Sequence, residues 1–126
     1  MPIPTRGTRT ALITVGGDRP VVRVPDALGL PALARLLDEE ADRGLVGPVL
    51  HHRPSQVTYW WVRPGSSGSY PDGCRLLATD ALVVVPDPHA DHCAVASWLF
   101  MPDREVLTGP AWLAAALDAE RTSTAA

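Results

Sequence analysis

Apolar and polar positions change their rhythm several times along this chain, and each change marks an element. Ala11-Leu12-Ile13-Thr14-Val15 and Val21-Val22-Arg23-Val24 are short runs rich in β-branched residues. Between them Gly16-Gly17-Asp18-Arg19-Pro20 carries the glycines that a tight reversal needs, so the pattern predicts two strands joined as a hairpin. The period then lengthens. Leu30, Leu33, Leu36 and Leu37 recur at helical spacing, which predicts a helix from about Pro31 to Arg43, with Pro31 in its first turn and Gly44 ending it. Its leucines are expected to face a sheet, and Arg35, Asp38, Glu39 and Asp42 water.

Strand-like runs return at Pro48 to His52, Val57 to Arg63, Arg75 to Leu77 continuing toward Leu82 to Pro86, and Val95 to Phe100. Periodicity leaves open whether the third is one strand or two broken at Thr79-Asp80. Val83-Val84-Val85 is apolar at successive positions, which predicts a central strand covered on both faces. A last helix is expected from Gly109 to about Glu120, with Thr108 as its N-cap, Pro110 in its first turn, and Trp112, Leu113, Ala116 and Leu117 along one face. The expected fold class is α+β, a mostly antiparallel sheet of about five to six strands packed against two helices, of the ferredoxin or RNA-recognition-motif type.

Length and charge narrow the function more than the fold. A chain of 126 residues is enough for one hydrophobic core, expected over residues 10–120, with flexible segments at 1–9 and 121–126, where apolar periodicity is missing. No apolar run approaches the ~20 residues of a membrane span, and Met1-Pro2-Ile3-Pro4-Thr5-Arg6 is followed by no apolar leader core, so a cytoplasmic protein without a membrane partner is expected. All 11 basic residues are arginine and asparagine is absent, the imprint of a GC-rich coding sequence. The net charge of −3 removes the usual electrostatic argument for nucleic-acid binding, because such binding draws on phosphate counterion release; any nucleic-acid site must be a local patch. Cys74 and Cys93 stand alone, in no Cys-x-x-Cys pair, and are expected to be free thiols.

Three signatures follow one another in the second half: Thr58-Tyr59-Trp60-Trp61-Val62-Arg63-Pro64, then Ala81-Leu82-Val83-Val84-Val85-Pro86-Asp87-Pro88-His89, then Trp98-Leu99-Phe100 with Trp112-Leu113. Their order resembles the small primase–polymerase domain of actinobacterial and plasmid replication proteins, the N-terminal domain of bifunctional DNA primase/polymerases, over about Leu30 to Leu117. The resemblance implies half of a primase–polymerase fold. It also places that family's nucleotide-binding histidine at Thr58 and a metal-ligating aspartate near Arg75, and leaves at most Asp26 where an Asp-x-Asp pair should precede the first helix. A hydroxyl brings no positive charge to a phosphate, and an arginine repels the cation that two-metal phosphoryl transfer needs. The resemblance therefore implies a degenerate relative without catalysis and without a cofactor.

Other groups of residues carry weaker chemistry. His89, Asp91, His92 and Cys93 crowd four donor groups into one short stretch after a strand, a spacing unlike common zinc sites; they are the candidates for an unrecognised metal-dependent enzyme. His51 and His52 are strand neighbours and point to opposite faces. Asp38-Glu39-Glu40 reads as a solvated helix face, and Gly65-Ser66-Ser67-Gly68-Ser69 lacks the Gly-Lys-Ser/Thr of a phosphate loop. No Gly-x-Ser-x-Gly elbow is present. Strand alternation sends Trp60 to the face opposite Tyr59 and Trp61, so Trp60 or Trp61 beside Arg53, Arg63 or Arg75 could stack a base and hold a phosphate, against the alternative that two of these aromatics fill the core. The leading expectation is a non-catalytic binding or regulatory module that meets a protein partner or a second copy of itself. Single-stranded nucleic acid or a nucleotide on the aromatic face is the alternative.

Overall fold

A computed structural model describes residues 10–38, 44–64, 70–86, 95–102 and 104–125. In chain order the elements are β1 (Thr10–Val15), β2 (Val21–Pro25), α1 (Asp26–Asp38), β3 (Val49–His52), β4 (Val57–Trp61), β5 (Arg75–Leu76), β6 (Ala81–Pro86), β7 (Ala96–Phe100) and α2 (Pro110–Ala125). Among the described residues the fold is α+β, with two helices and two antiparallel sheets, neither closed into a barrel. Five strands order as β5-β2-β4-β3-β7, and β1 pairs with β6 in a separate two-stranded ribbon.

Strand alternation divides the side chains of the larger sheet into two cores. Val22, Val24, Val49 and Trp60 point to one side, where they meet Ala32, Leu33 and Leu36 of α1 and Leu113, Ala116 and Leu117 of α2. Val21, Leu50, Trp61 and Ala96 point to the other, against Val15 of β1 and Val83 and Val85 of β6. The molecule is thus layered as helices, sheet and ribbon. Each fully buried valine or leucine of these layers stabilises the fold by about 1.5–3 kcal/mol relative to exposure.

Four expectations need correction. β1 and β2 form no hairpin, although Gly16 and Arg19 close the turn with reciprocal backbone hydrogen bonds of 3.0 and 3.1 Å. Past that turn the strands part: β1 runs with β6, and β2 runs with β4 and β5. Gly16 has φ of 109° and lies against the Thr79 backbone, where a Cβ would come within 2.7 Å of Thr79 Cα, so glycine is required at this junction between the sheets. Second, the covered central strand is not found: the run from Arg75 to Pro86, left open as one strand or two, is two strands in two sheets, broken at Asp80 with φ of 69°. Val83-Val84-Val85 is consequently not central: Val83 and Val85 are buried, while Val84 lies on the outer face with Leu12 and Leu82.

Third, α1 begins at Asp26 and holds Pro31 inside it. The earlier start is anchored by the Asp26 amide, which donates to Gln56 O at 2.9 Å, by the Asp26 carboxylate on His51, and by Gly29, which lies against Thr58 too closely for any side chain. An acidic residue in the first turn also suits the helix dipole. These contacts outweigh the one backbone bond that Pro31 cannot make. Fourth, Thr108 is not an N-cap. Its hydroxyl accepts from the Gly47 amide at 2.8 Å, and its backbone joins Trp61 and Arg63, so it fastens the approach to β3 to the end of β4. The helix α2 runs on to Ala125, past the expected end near Glu120, with Arg121 on Asp118 Oδ1 at 2.6 Å and Thr122 Oγ1 donating to Asp118 O at 3.0 Å.

Candidate functional site

The aromatic strand β4 feeds both cores. Trp60 is 0 % exposed on the helix side, and its indole Nε1 donates to Thr58 Oγ1 at 2.9 Å. Thr58 in turn donates to Val24 O at 3.2 Å. Trp61, 5 % exposed, lies on the ribbon side with Trp98 at a centroid distance of 5.4 Å and a tilt of 50°. Trp60 keeps no face for a nucleobase, which corrects the expectation of stacking on it, and what remains exposed of Trp61 is a small part. Tyr59 is half-buried and meets His52 edge-on at 6.5 Å.

The candidate arginines do not converge. Arg63 extends beyond β4 toward Gly109 at the start of α2, where its guanidinium occupies the space a Cβ would need. Arg53 follows β3 and donates from its guanidinium to Ser97 Oγ at 3.3 Å. Arg75 is exposed on the edge strand β5, directly opposite Arg23 of β2, and Arg23 lies opposite Tyr59 of β4. Among the described residues no carboxylate pairs with Arg23 or Arg75. Arg23 escaped the sequence reading: alternation sets it on the face opposite Val22 and Val24, and only the register of β2 on β4 places it beside Tyr59. Partial burial, then Arg23, His51 and Arg53, hold the His52 imidazole below its ordinary value, so His52 contributes hydrogen-bonding capacity here and little charge near neutrality.

Asp26 and His51 form a half-buried pair, Oδ2 to Nε2 at 2.9 Å, and Asp26 Oδ1 is buried without a hydrogen bond. His51 stands in register with two hydroxyl residues, Thr58 on β4, engaged with Val24 and Trp60, and Ser97 on β7, whose Oγ accepts from the Arg53 guanidinium. No group of three or more His, Cys, Asp or Glu side chains converges among the described residues. His89, Asp91, His92 and Cys93, like the Gly65 to Ser69 stretch, lie outside them. Cys74 is half-buried beside the helix-side core, and desolvation pushes its thiol up to about 11, which makes it a poor nucleophile. No helix among the described residues is long and apolar enough to cross a membrane.

Two surfaces remain. The outer face of the ribbon exposes Leu12 at 63 % and Leu82 at 62 %, beside Val84 and Thr14, with no charged residue between them. At the other end of β1, a cleft of about 620 Å³ opens between ribbon and sheet, lined by Ile13, Pro48, Trp61, Trp98, Met101 and Leu107 within, and by Asp18, Arg19, Arg104 and Glu105 at its mouth. Arg19 and Glu105 pair at 2.8 Å. Sequence reading missed this cleft because its walls come from five separate stretches of the chain. No family model matches the chain, and neither a curated protein nor a solved structure does.

Proposed function

We propose that the protein is a non-catalytic interaction module, a degenerate relative of the primase–polymerase fold, which self-associates through the outer face of its β1–β6 ribbon. The carrying observation is that face itself: Leu12 and Leu82 stand more than half exposed on strands whose outer edges are unpaired among the described residues. Unpaired strand edges and contiguous apolar side chains invite a further strand or sheet. A second copy is the favoured occupant, because an uncharged face on a chain of net charge −3 can meet itself without repulsion.

The finer fold reading finds support in half of the larger sheet. β2, α1 and β3 with β4 inserted between the strands is the split β-α-β unit of ferredoxin-like sheets. The closing strand departs from that pattern: β7 lies beside β3, and the place beside β2 is taken by the two residues of β5. Loss of catalysis is supported by the roles of the resembled positions, with Thr58 spent on Val24 and Trp60, Arg75 opposite another arginine, and Asp26 held by His51.

Sedimentation velocity across micromolar concentrations tests the reading. The expected result is a dimer whose dissociation is promoted by Leu12→Arg and Leu82→Arg, with circular dichroism unchanged. A wild-type monomer throughout, or a dimer indifferent to both substitutions, overturns it.

A second reading, phosphate binding on the sheet, is favoured by the Arg75–Arg23–Tyr59 row, because like charges directly opposite each other cost stability unless an anion joins them. Arg75→Gln should then raise the melting temperature of the free protein and abolish any rise produced by inorganic phosphate or a mononucleotide. If phosphate leaves the wild-type melting temperature unchanged, the row is a solvated edge.

A further inference from the structure

We propose that the cleft between ribbon and sheet binds an uncharged planar aromatic molecule of two or three rings. This goes beyond the self-association reading and uses none of the same exposed side chains. The cavity of about 620 Å³ falls within the range of small-molecule sites, ~300–1,000 Å³. Its interior is built to receive a flat ring: the Trp98 indole, tilted against Trp61, forms one wall, with Pro48, Pro102 and Leu107 around it. Met101 is 52 % exposed at the same cleft, a large apolar side chain left in water beside an aromatic wall. A thioether there can move over an entering ring with little strain and favourable sulfur–aromatic contact.

The mouth determines the charge of the ligand. Among the described residues it carries two arginines, Arg19 and Arg104, and two carboxylates, Asp18 and Glu105, whose signs cancel. Arg19 and Glu105 are further satisfied by each other at 2.8 Å. An anion or cation would have to compete with that pair and would meet one repelling charge for each attracting one. A neutral ring meets no such opposition, and the guanidinium of Arg104 can lie over its face.

The experiment is a fluorescence titration of the full chain with N-phenylnaphthylamine, which is uncharged, and with anilinonaphthalene sulfonate, its anionic counterpart. The expected result is saturable enhancement at one probe per chain, with the neutral probe preferred. Trp98→Ala should weaken neutral binding about tenfold, as loss of an aromatic partner does. Met101→Ala should weaken it about threefold, and keeps the test readable should the tryptophan variant not fold. Glu105→Gln, which releases Arg19, should shift preference toward the sulfonate, and Arg19→Gln should shift it away. Leu82→Arg should leave neutral binding unchanged, separating the cleft from the ribbon face. The proposal is overturned if binding does not saturate, if neither Trp98→Ala nor Met101→Ala weakens it, if Leu82→Arg abolishes it, or if the wild type prefers the sulfonate.

Discussion

A threonine on the aromatic strand stands between two groups that ask opposite things of it: the Val24 carbonyl needs a donor and the Trp60 indole needs an acceptor. A hydroxyl supplies both at once, and at a position buried to 0 % exposure no water can substitute. Thr58→Val keeps the shape and strands both partners, so a loss of about 2 kcal/mol in chemical denaturation is expected, with Thr58→Ser recovering most of it. If Thr58→Val is neutral, the two hydrogen bonds contribute nothing net. Its packing explains what Thr58 does at this position. The residue type was visible in the sequence, whereas its partners on β2 and at Trp60 were not, because hydrogen-bonding capacity does not reveal which buried groups lie within reach.

Between elements, α1 and α2, packed on the same face of the larger sheet, are joined by a polar contact. Arg35 Nε of α1 donates to Glu120 Oε1 of α2 at 2.6 Å, and the glutamate side chain is nearly buried while the arginine is half exposed. Arg35→Ala leaves a largely buried carboxylate with one donor fewer; after discounting for solvent screening on the arginine side, a loss of about 1 kcal/mol is expected, shrinking as salt is added. A loss independent of salt would assign the effect to the packed aliphatic stem. The helix faces were legible from leucine spacing only in part: Leu33, Leu36, Leu113 and Leu117 are buried, whereas Leu30, expected on the same face, is 39 % exposed. The beginning of α1 was not legible, because Pro31 reads locally as a start signal and only the contacts of Asp26 and Gly29 with β3 and β4 place the first turn earlier. Arg35, assigned to solvent by the same spacing, meets its partner only because α2 crosses beside α1.

Across the whole molecule, the ribbon is held by strands far apart in sequence, β1 at Thr10–Val15 and β6 at Ala81–Pro86, and the chain enters the larger sheet through a turn whose first glycine has φ of 109°. Gly16→Ala imposes both a left-handed backbone on an L residue and a collision with Thr79, so about 2 kcal/mol of destabilisation is expected. Hydrogen exchange should place the damage in β1 and β6, whose amides lose protection before those of β2, β3 and β4. Uniform loss across both sheets would show that ribbon and sheet open as one unit. Such a ribbon, apolar on both faces, is also the part of the molecule that a second copy would stabilise most.

The sequence by itself determined where the period changes: six strand-like runs, with the division of the Arg75–Pro86 run left open, two helical stretches, and the opposite facing of Trp60 and Trp61 all follow from local spacing and turn residues. Only the tertiary structure decided which strands are neighbours. Alternating strands are interchangeable as patterns, so nothing local distinguishes a β1–β2 hairpin from a β1–β6 ribbon; the choice rests on burial summed over residues scores of positions apart. The same holds for function. Burial of Trp60 and Trp61, the meeting of Arg23 with Arg75, and the cleft walled by Trp98 and closed by Arg19 and Glu105 are properties of distance between remote side chains, and distance exists only once the layers have packed.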